Sequence, residues 1–340
     1  MRRAGALIAG ALVATVAVPI LIGGEHALEN TLSFPASGYV ALLTVIVTCW
    51  FARALKLQLL MRRFGLRPGF ARVFAISLAT DFAFISTPGG VAGYAAGVYY
   101  VRREGASTSA ATTVTVADQL LDLAFFALAL PVAGLSLVSS DLPTPLTALA
   151  FSASALMIAV IAGALLARRK ISAWLVNDNL LTRRWPGLRR RQQTLREFLS
   201  SVGAHMRLLL AGGPLNLLAL AGVTSVQWMT RYGVLWVVLS LLGYKVPFAL
   251  TLLLQSLILH AAMWTGVPSG GGGAELGLSA TLASWVPMTS MATALLLWRI
   301  TTFYVCLVVG AVSISLLARR SSHSPERHAI DPNAAERSVG

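Results

Sequence analysis

Residues 4–23 are almost wholly apolar, and a second apolar run fills 37–61. A helix rises 1.5 Å per residue, so about 20 apolar residues cross the hydrocarbon of a bilayer. Both runs reach that length, as do those at 110–137, 145–167, 213–242 and 288–317. Two further apolar segments are interrupted. Residues 70–101 break at Ser86-Thr87-Pro88-Gly89-Gly90. Residues 246–286 break at Gly266-Val267-Pro268-Ser269-Gly270 and continue through Gly271, Gly272 and Gly273 to Glu275. Proline removes a backbone donor and glycine accepts positive φ, so each break stops a helix and lets the chain reverse. The first run resembles a signal peptide. It is long enough to span, and no convincing small-residue cleavage site follows, so an uncleaved helix is expected.

Composition agrees with this pattern. The chain of 340 residues is 56% hydrophobic and 12% charged, with mean hydropathy +0.73. Soluble domains carry about 25% charged residues, so a polytopic membrane protein is expected. Cys49 and Cys306 both lie in apolar runs and read as small buried side chains rather than a disulfide or metal pair.

The positive-inside rule sets the path. Arg2 and Arg3 place the N-terminus in the cytoplasm, and the next loop holds Glu25 and Glu29. The second helix returns to Lys56, Arg62, Arg63, Arg67 and Arg72. The interrupted segment that follows ends at Arg102 and Arg103, so it starts and finishes inside as a re-entrant hairpin. Two more spans lead to the basic linker 168–207, where ten Lys and Arg residues mix with Trp174, Leu175, Trp185 and Leu188. That mixture suits a segment lying on anionic lipid. The second interrupted segment then starts and finishes outside, and the last helix returns to Arg319 and Arg320. Residues 319–340 read as a disordered cytoplasmic tail. This topology accounts for the net charge of +14 without nucleic acid.

The path is symmetric. Trp50-Phe51-Ala52-Arg53 before the first hairpin matches Trp228-Met229-Thr230-Arg231 before the second. Gln119 lies 31 residues after Pro88, and Arg299 lies 31 after Pro268. The expected fold is an all-α polytopic membrane helix bundle, spanning 1–318, with two inverted repeats. Each repeat, about 37–137 and about 213–318, contains a re-entrant helical hairpin.

Irregular backbone inside hydrocarbon must be buried in protein or line a wet cavity. Two turns entering from opposite faces would meet at a polar cavity near the midplane. The helix starting after Gly273 presents free N–H groups that suit an anionic head group; the alternative is that the glycines only allow close helix packing. Charged residues within spans suggest function. Arg53 and Arg231 read either as a phosphate-binding pair, with Asp81, Asp118 and their neighbours balancing them or coupling to protons, or as structural ion pairs that lock helices together. Asp118 and Asp122 are four apart on one helix face. Glu275 and Arg299 flank the second hairpin and are expected to pair. His260 reads as a satisfied core residue. The substrate-binding candidates are therefore Arg53, Asp81, Pro88, Gly89, Gly90, Asp118, Gln119, Arg231, Pro268, Gly270, Gly271, Gly272, Gly273, Glu275 and Arg299.

Residues 37–318 resemble the transmembrane region of lysylphosphatidylglycerol synthases and the UPF0104 membrane proteins. The resemblance rests on RALKLQLLMRRFG, on STPGGVAGYAAGVYYVRREGAS with VADQLLDLAF, and on VPSGGGGAELG with LLWRITTFYVCLVVGA. It implies translocation of lipid between leaflets. The aminoacyltransferase domain of the full-length synthases has no counterpart in the polar residues after Arg320, so lysyl transfer is not implied. The chain departs from the family where Tyr94, Ala95, Ala96 and Gly97 follow Gly93, and where Asp118-Gln119 stands in place of a common Glu-Arg.

No metal cluster, P-loop or nucleophile–histidine pair is present in the sequence, so no enzyme activity and no cofactor are expected. The expected function is a flippase in the cell membrane, both termini cytoplasmic, moving an anionic phospholipid or polyprenyl-linked substrate. The alternative is a scaffold for a cytosolic glycosyl- or aminoacyltransferase docked on the basic linker. Membrane lipids are the expected partners, with a cytosolic transferase and a second copy of the chain as further candidates.

Overall fold

In a computed structural model, the described residues are 15–138, 211–263 and 265–322, with isolated helical positions at residue 13 and between 148 and 207. The expected helix at 145–167, the basic linker and the tail beyond 322 fall largely outside them.

Every regular element among the described residues is helical. Residues 15–23 are helical, followed by α1 (Glu25–Leu32), α2 (Ala36–Arg62), α3 (Phe70–Ile85), α4 (Val91–Arg103) and α5 (Thr108–Val138). Then come α6 (Pro214–Leu241), α7 (Phe248–Met263), α8 (Gly273–Leu282), α9 (Met288–Arg299) and α10 (Val305–Ser322). One-turn 3₁₀ helices, Pro88–Gly90 and Pro268–Gly270, join α3 to α4 and α7 to α8. Three stretches are long and apolar enough to cross a membrane: Ala36–Arg62, Thr108–Leu137 and Met288–Arg319. The 28-residue α6 has the length but carries Gln227 and Arg231 near its centre. Large apolar side chains such as Leu128, Leu215 and Val308 face outward, as lipid contact requires.

Two elements differ from expectation. Residues 25–32 form a helix where a loop is expected. Ala27 and Thr31, four apart, make its buried face, and Ala27 packs on Ala292 and Leu296 of α9. Between α9 and α10 the backbone widens into a π turn, Ile300–Tyr304, directly after Arg299. The apolar pattern is unbroken there and gives no sign of it.

The helices around the two breaks have similar lengths. The helices before the breaks, α2 and α6, have 27 and 28 residues. Both α3 and α7 have 16 residues, about 24 Å of helix. Both turns begin at a proline and continue through two left-handed residues: Gly89 (φ 61°) and Gly90 (φ 69°), then Ser269 (φ 53°) and Gly270 (φ 63°). Gly270 is required for a second reason. A Cβ there would lie 2.5 Å from Cβ of Ala262.

A side-chain contact joins the two ends of each broken segment. Arg72 Nε at the start of α3 donates to Glu104 Oε1 just beyond α4, at 2.6 Å. Tyr244 Oη, before α7, donates to Ser290 Oγ, after α8, at 2.7 Å. The halves interlock, with α2 packed along α6 and α3 along α10. At Gly310 of α10 a Cβ would sit 2.6 Å from Cβ of Phe82 and 3.0 Å from the Leu78 carbonyl oxygen. The small residue lets the two backbones approach, as in other membrane helix pairs. One buried apolar cluster runs through both halves, including Ile46, Leu130, Leu235, Leu254 and Leu295.

Candidate functional site

The two proline turns touch each other. Beside their contact lies a cavity of about 470 Å³ lined by both, through Thr87 and Gly89 of the first and Ser269 of the second. Ligand pockets commonly run to about 300–1,000 Å³. Its polar wall comes from five helices: Arg53 on α2, Asp81 on α3, Gln119 and Asp122 on α5, Gln227 and Arg231 on α6, and His260 on α7. Phe84, Tyr94, Phe126, Trp228 and Tyr232 supply aromatic surface.

The charges on and behind this wall pair unevenly. Arg53 Nε meets Asp81 Oδ1 at 2.8 Å, and its guanidinium carbon lies 5.8 Å from the centre of the Phe84 ring. Lys56 is fully buried, and its Nζ bridges Asp118 Oδ1 at 2.7 Å and Asp122 Oδ1 at 2.6 Å. Asp122 Oδ1 also accepts from Trp228 Nε1 at 2.7 Å, and Asp118 Oδ2 accepts from Gln119 Nε2 at 3.2 Å. The i,i+4 spacing of the two aspartates lets both reach one ammonium. Arg231 has no carboxylate within 4.0 Å among the described residues, although it lines the same cavity.

The expected pair of Glu275 and Arg299 does form, but behind the second turn rather than on the cavity wall. Arg299 Nε donates to Glu275 Oε1, and Nη1 donates to Ser269 Oγ at 3.1 Å and to its carbonyl at 3.3 Å. The guanidinium lies 4.7 Å from the Trp298 ring centre. Glu275 Oε2 accepts from the Gly272 N–H at 2.8 Å. The start of α8 therefore holds the chain's own carboxylate. A buried pair of this kind, hydrogen-bonded on both sides, fixes a turn that has few other restraints.

Of the fifteen sequence candidates, Arg53, Asp81, Gly89, Gln119 and Arg231 stand on the cavity wall. Asp118 lies one layer behind it. Pro88, Gly90, Pro268, Gly270, Gly271, Gly272 and Gly273 shape the turns, and Glu275 with Arg299 clamps the second. Lys56 corrects the sequence reading. It is not a cation of the cytoplasmic loop but lies inside α2 at 0% exposure, paired with both aspartates of α5. Two carboxylates on one face of an apolar helix were the available signal, because they demand a cation at the same depth. His260 Nδ1 lies 2.6 Å from the Ser256 carbonyl and donates to it, so the ring is satisfied there yet also faces the cavity. Both cysteines are free and buried, as expected, and Cys49 touches the cavity.

Comparison with known proteins supports a membrane protein. A UPF0104 membrane protein from Archaeoglobus fulgidus is 23% identical over 281 residues, covering 79% of this chain and 83% of the relative. Residues 4–310 match the family described as the lysylphosphatidylglycerol synthase TM region. A match over that much of the chain identifies it as a member of the lysylphosphatidylglycerol synthase TM region family of membrane proteins.

Proposed function

We propose that the protein moves an anionic amphipathic substrate, a phospholipid or a polyprenyl-linked molecule, between the leaflets of the membrane that holds it. The observation that carries this reading is Arg231, a cation on the wall of a 470 Å³ cavity with no ion-pair partner among the described residues. An unpaired charge at membrane depth is costly, and a phosphate entering from the lipid would supply the missing partner. The aromatic wall suits the glycerol or sugar part of a head group, while acyl chains stay in the bilayer.

In this reading the broken segments are re-entrant hairpins. At about 24 Å, α3 and α7 are each shorter than the roughly 30 Å hydrocarbon. The Arg72–Glu104 and Tyr244–Ser290 contacts bring each segment back to its starting side. The basic residues at the base of the first hairpin support a cytoplasmic base, with both termini on the same side. The halves are then inverted repeats, and rocking one against the other around the shared cavity gives alternating access.

The test is leaflet exchange in vesicles of phosphatidylcholine and phosphatidylglycerol containing the purified protein and a fluorescent phosphatidylglycerol tracer. Tracer in the inner leaflet should become accessible to an impermeant quencher faster than in protein-free vesicles. Exchange no faster than in empty vesicles, across a panel of anionic head groups, removes the reading.

A further inference from the structure

The ionisable groups around the cavity balance only as a set. Arg53 and Asp81 cancel each other at 2.8 Å. Lys56 faces two aspartates, so the triad on α2 and α5 carries one surplus negative charge when both are ionised. Arg231 carries one surplus positive charge. An anion arriving at Arg231 consumes that positive charge and leaves the triad's negative charge uncompensated in a weakly polarisable interior. A proton taken up from the medium by the aspartate pair restores neutrality.

We propose that the Asp118–Lys56–Asp122 triad is a proton-binding site whose filling is linked to the anion held at Arg231, so that each anionic head group travels with one proton. This rests on the substrate reading above. The triad reaches two adjoining spaces, which share Arg53, Phe84 and Gln119 in their walls. Asp122 lies on the large cavity, whereas Asp118 lines a second pocket of about 20 Å³ between α2, α3, α4 and α5. About 10–15 Å³ suffices for one water molecule. Ser77 and Thr80 line that pocket beside the apolar Leu57, Ile76 and Val101. Asp118 thus faces the small pocket and Asp122 the large cavity, with Lys56 holding both.

The other titratable groups facing the site are Cys49 on α2, Tyr94 on α4, Tyr232 on α6 and His260 on α7. Thiols and phenols are neutral near pH 7. His260 is the competing carrier, since its Nδ1 is bound to the Ser256 carbonyl and its Nε2 is the ring position left to take a proton.

The sign follows from linkage. A nearby anion raises the proton affinity of a carboxylate, and by reciprocity a bound proton strengthens anion binding. For one coupled proton, affinity rises by up to about tenfold for each unit fall in pH. The full-length protein in weakly buffered neutral detergent, titrated with dihexanoyl phosphatidylglycerol beside a pH indicator, should take up close to one proton per molecule bound. Asp122→Asn should bind the same probe at least as tightly, without uptake and with affinity independent of pH. Binding to the unaltered protein with no proton uptake overturns the proton site and leaves the substrate reading intact. Failure of the probe to bind overturns both. Uptake that persists in Asp122→Asn and disappears in His260→Gln overturns the assignment to the triad.

Discussion

Arg299→Leu is expected to destabilise the folded protein by about 3–5 kcal/mol, the cost of leaving a buried carboxylate without its cation. Glu275 is 0% exposed and Arg299 is 2% exposed, so no solvent can take over the lost contact. Replacing both residues, as Arg299→Leu with Glu275→Leu, removes the orphaned charge, and most of the loss should return. The two substitutions are therefore strongly non-additive. Activity should not recover with stability. Arg299 also holds Ser269 through two hydrogen bonds, and Ser269 is the part of the second turn that faces the cavity. The check is the thermal midpoint of the detergent-solubilised protein for both singles and the double. A double variant no more stable than Arg299→Leu contradicts the clamp.

The second large effect falls on Arg231. Arg231→Gln should weaken binding of an anionic head group roughly 10- to 100-fold, the worth of a charged hydrogen bond of about 1.5–3 kcal/mol. Its stability should stay close to that of the unaltered protein, because no carboxylate among the described residues is orphaned. Arg53→Gln supplies the contrast. It strands Asp81 from a 2.8 Å contact and should cost about 3–5 kcal/mol of stability as well as function. Lipid exchange and thermal midpoint, measured side by side, separate the two arginines. Equal loss of stability in both variants would place Arg231 among the structural ion pairs.

Much of this architecture is legible in the residue pattern because membrane helices obey a simple rule of length and polarity. The bounds expected at 37–61, 110–137 and 213–242 lie within a few residues of α2, α5 and α6. Both breaks fall at the prolines for the same reason: a missing donor and adjacent glycines leave few alternatives. The short helix α1 escaped because its polar residues resemble a loop, and its burial depends on α9, far along the chain. The π turn after Arg299 escaped because widening a helix leaves no trace in hydropathy.

Five of the fifteen candidate residues stand on the cavity wall, but their partners were not legible in the sequence. Sequence spacing aligned Arg53 with Arg231, yet only the fold shows that one is neutralised by Asp81 and the other has no carboxylate within 4.0 Å among the described residues. Lys56 was misplaced because it sits near the basic end of α2, where lysine usually reaches water. Its depth becomes clear only when α5 brings two aspartates against it. Glu275 and Arg299 were rightly expected to pair, but the pattern could not tell a wall of the cavity from a brace behind it.

A density map of the protein in nanodiscs of phosphatidylglycerol tests the central claim most directly, because it shows what fills the space between the turns. The account predicts a head group there, with its phosphate against the Arg231 guanidinium and its acyl chains leaving between helices into lipid. A cavity closed by side chains, or an Arg231 neutralised by another residue of the protein, would contradict it.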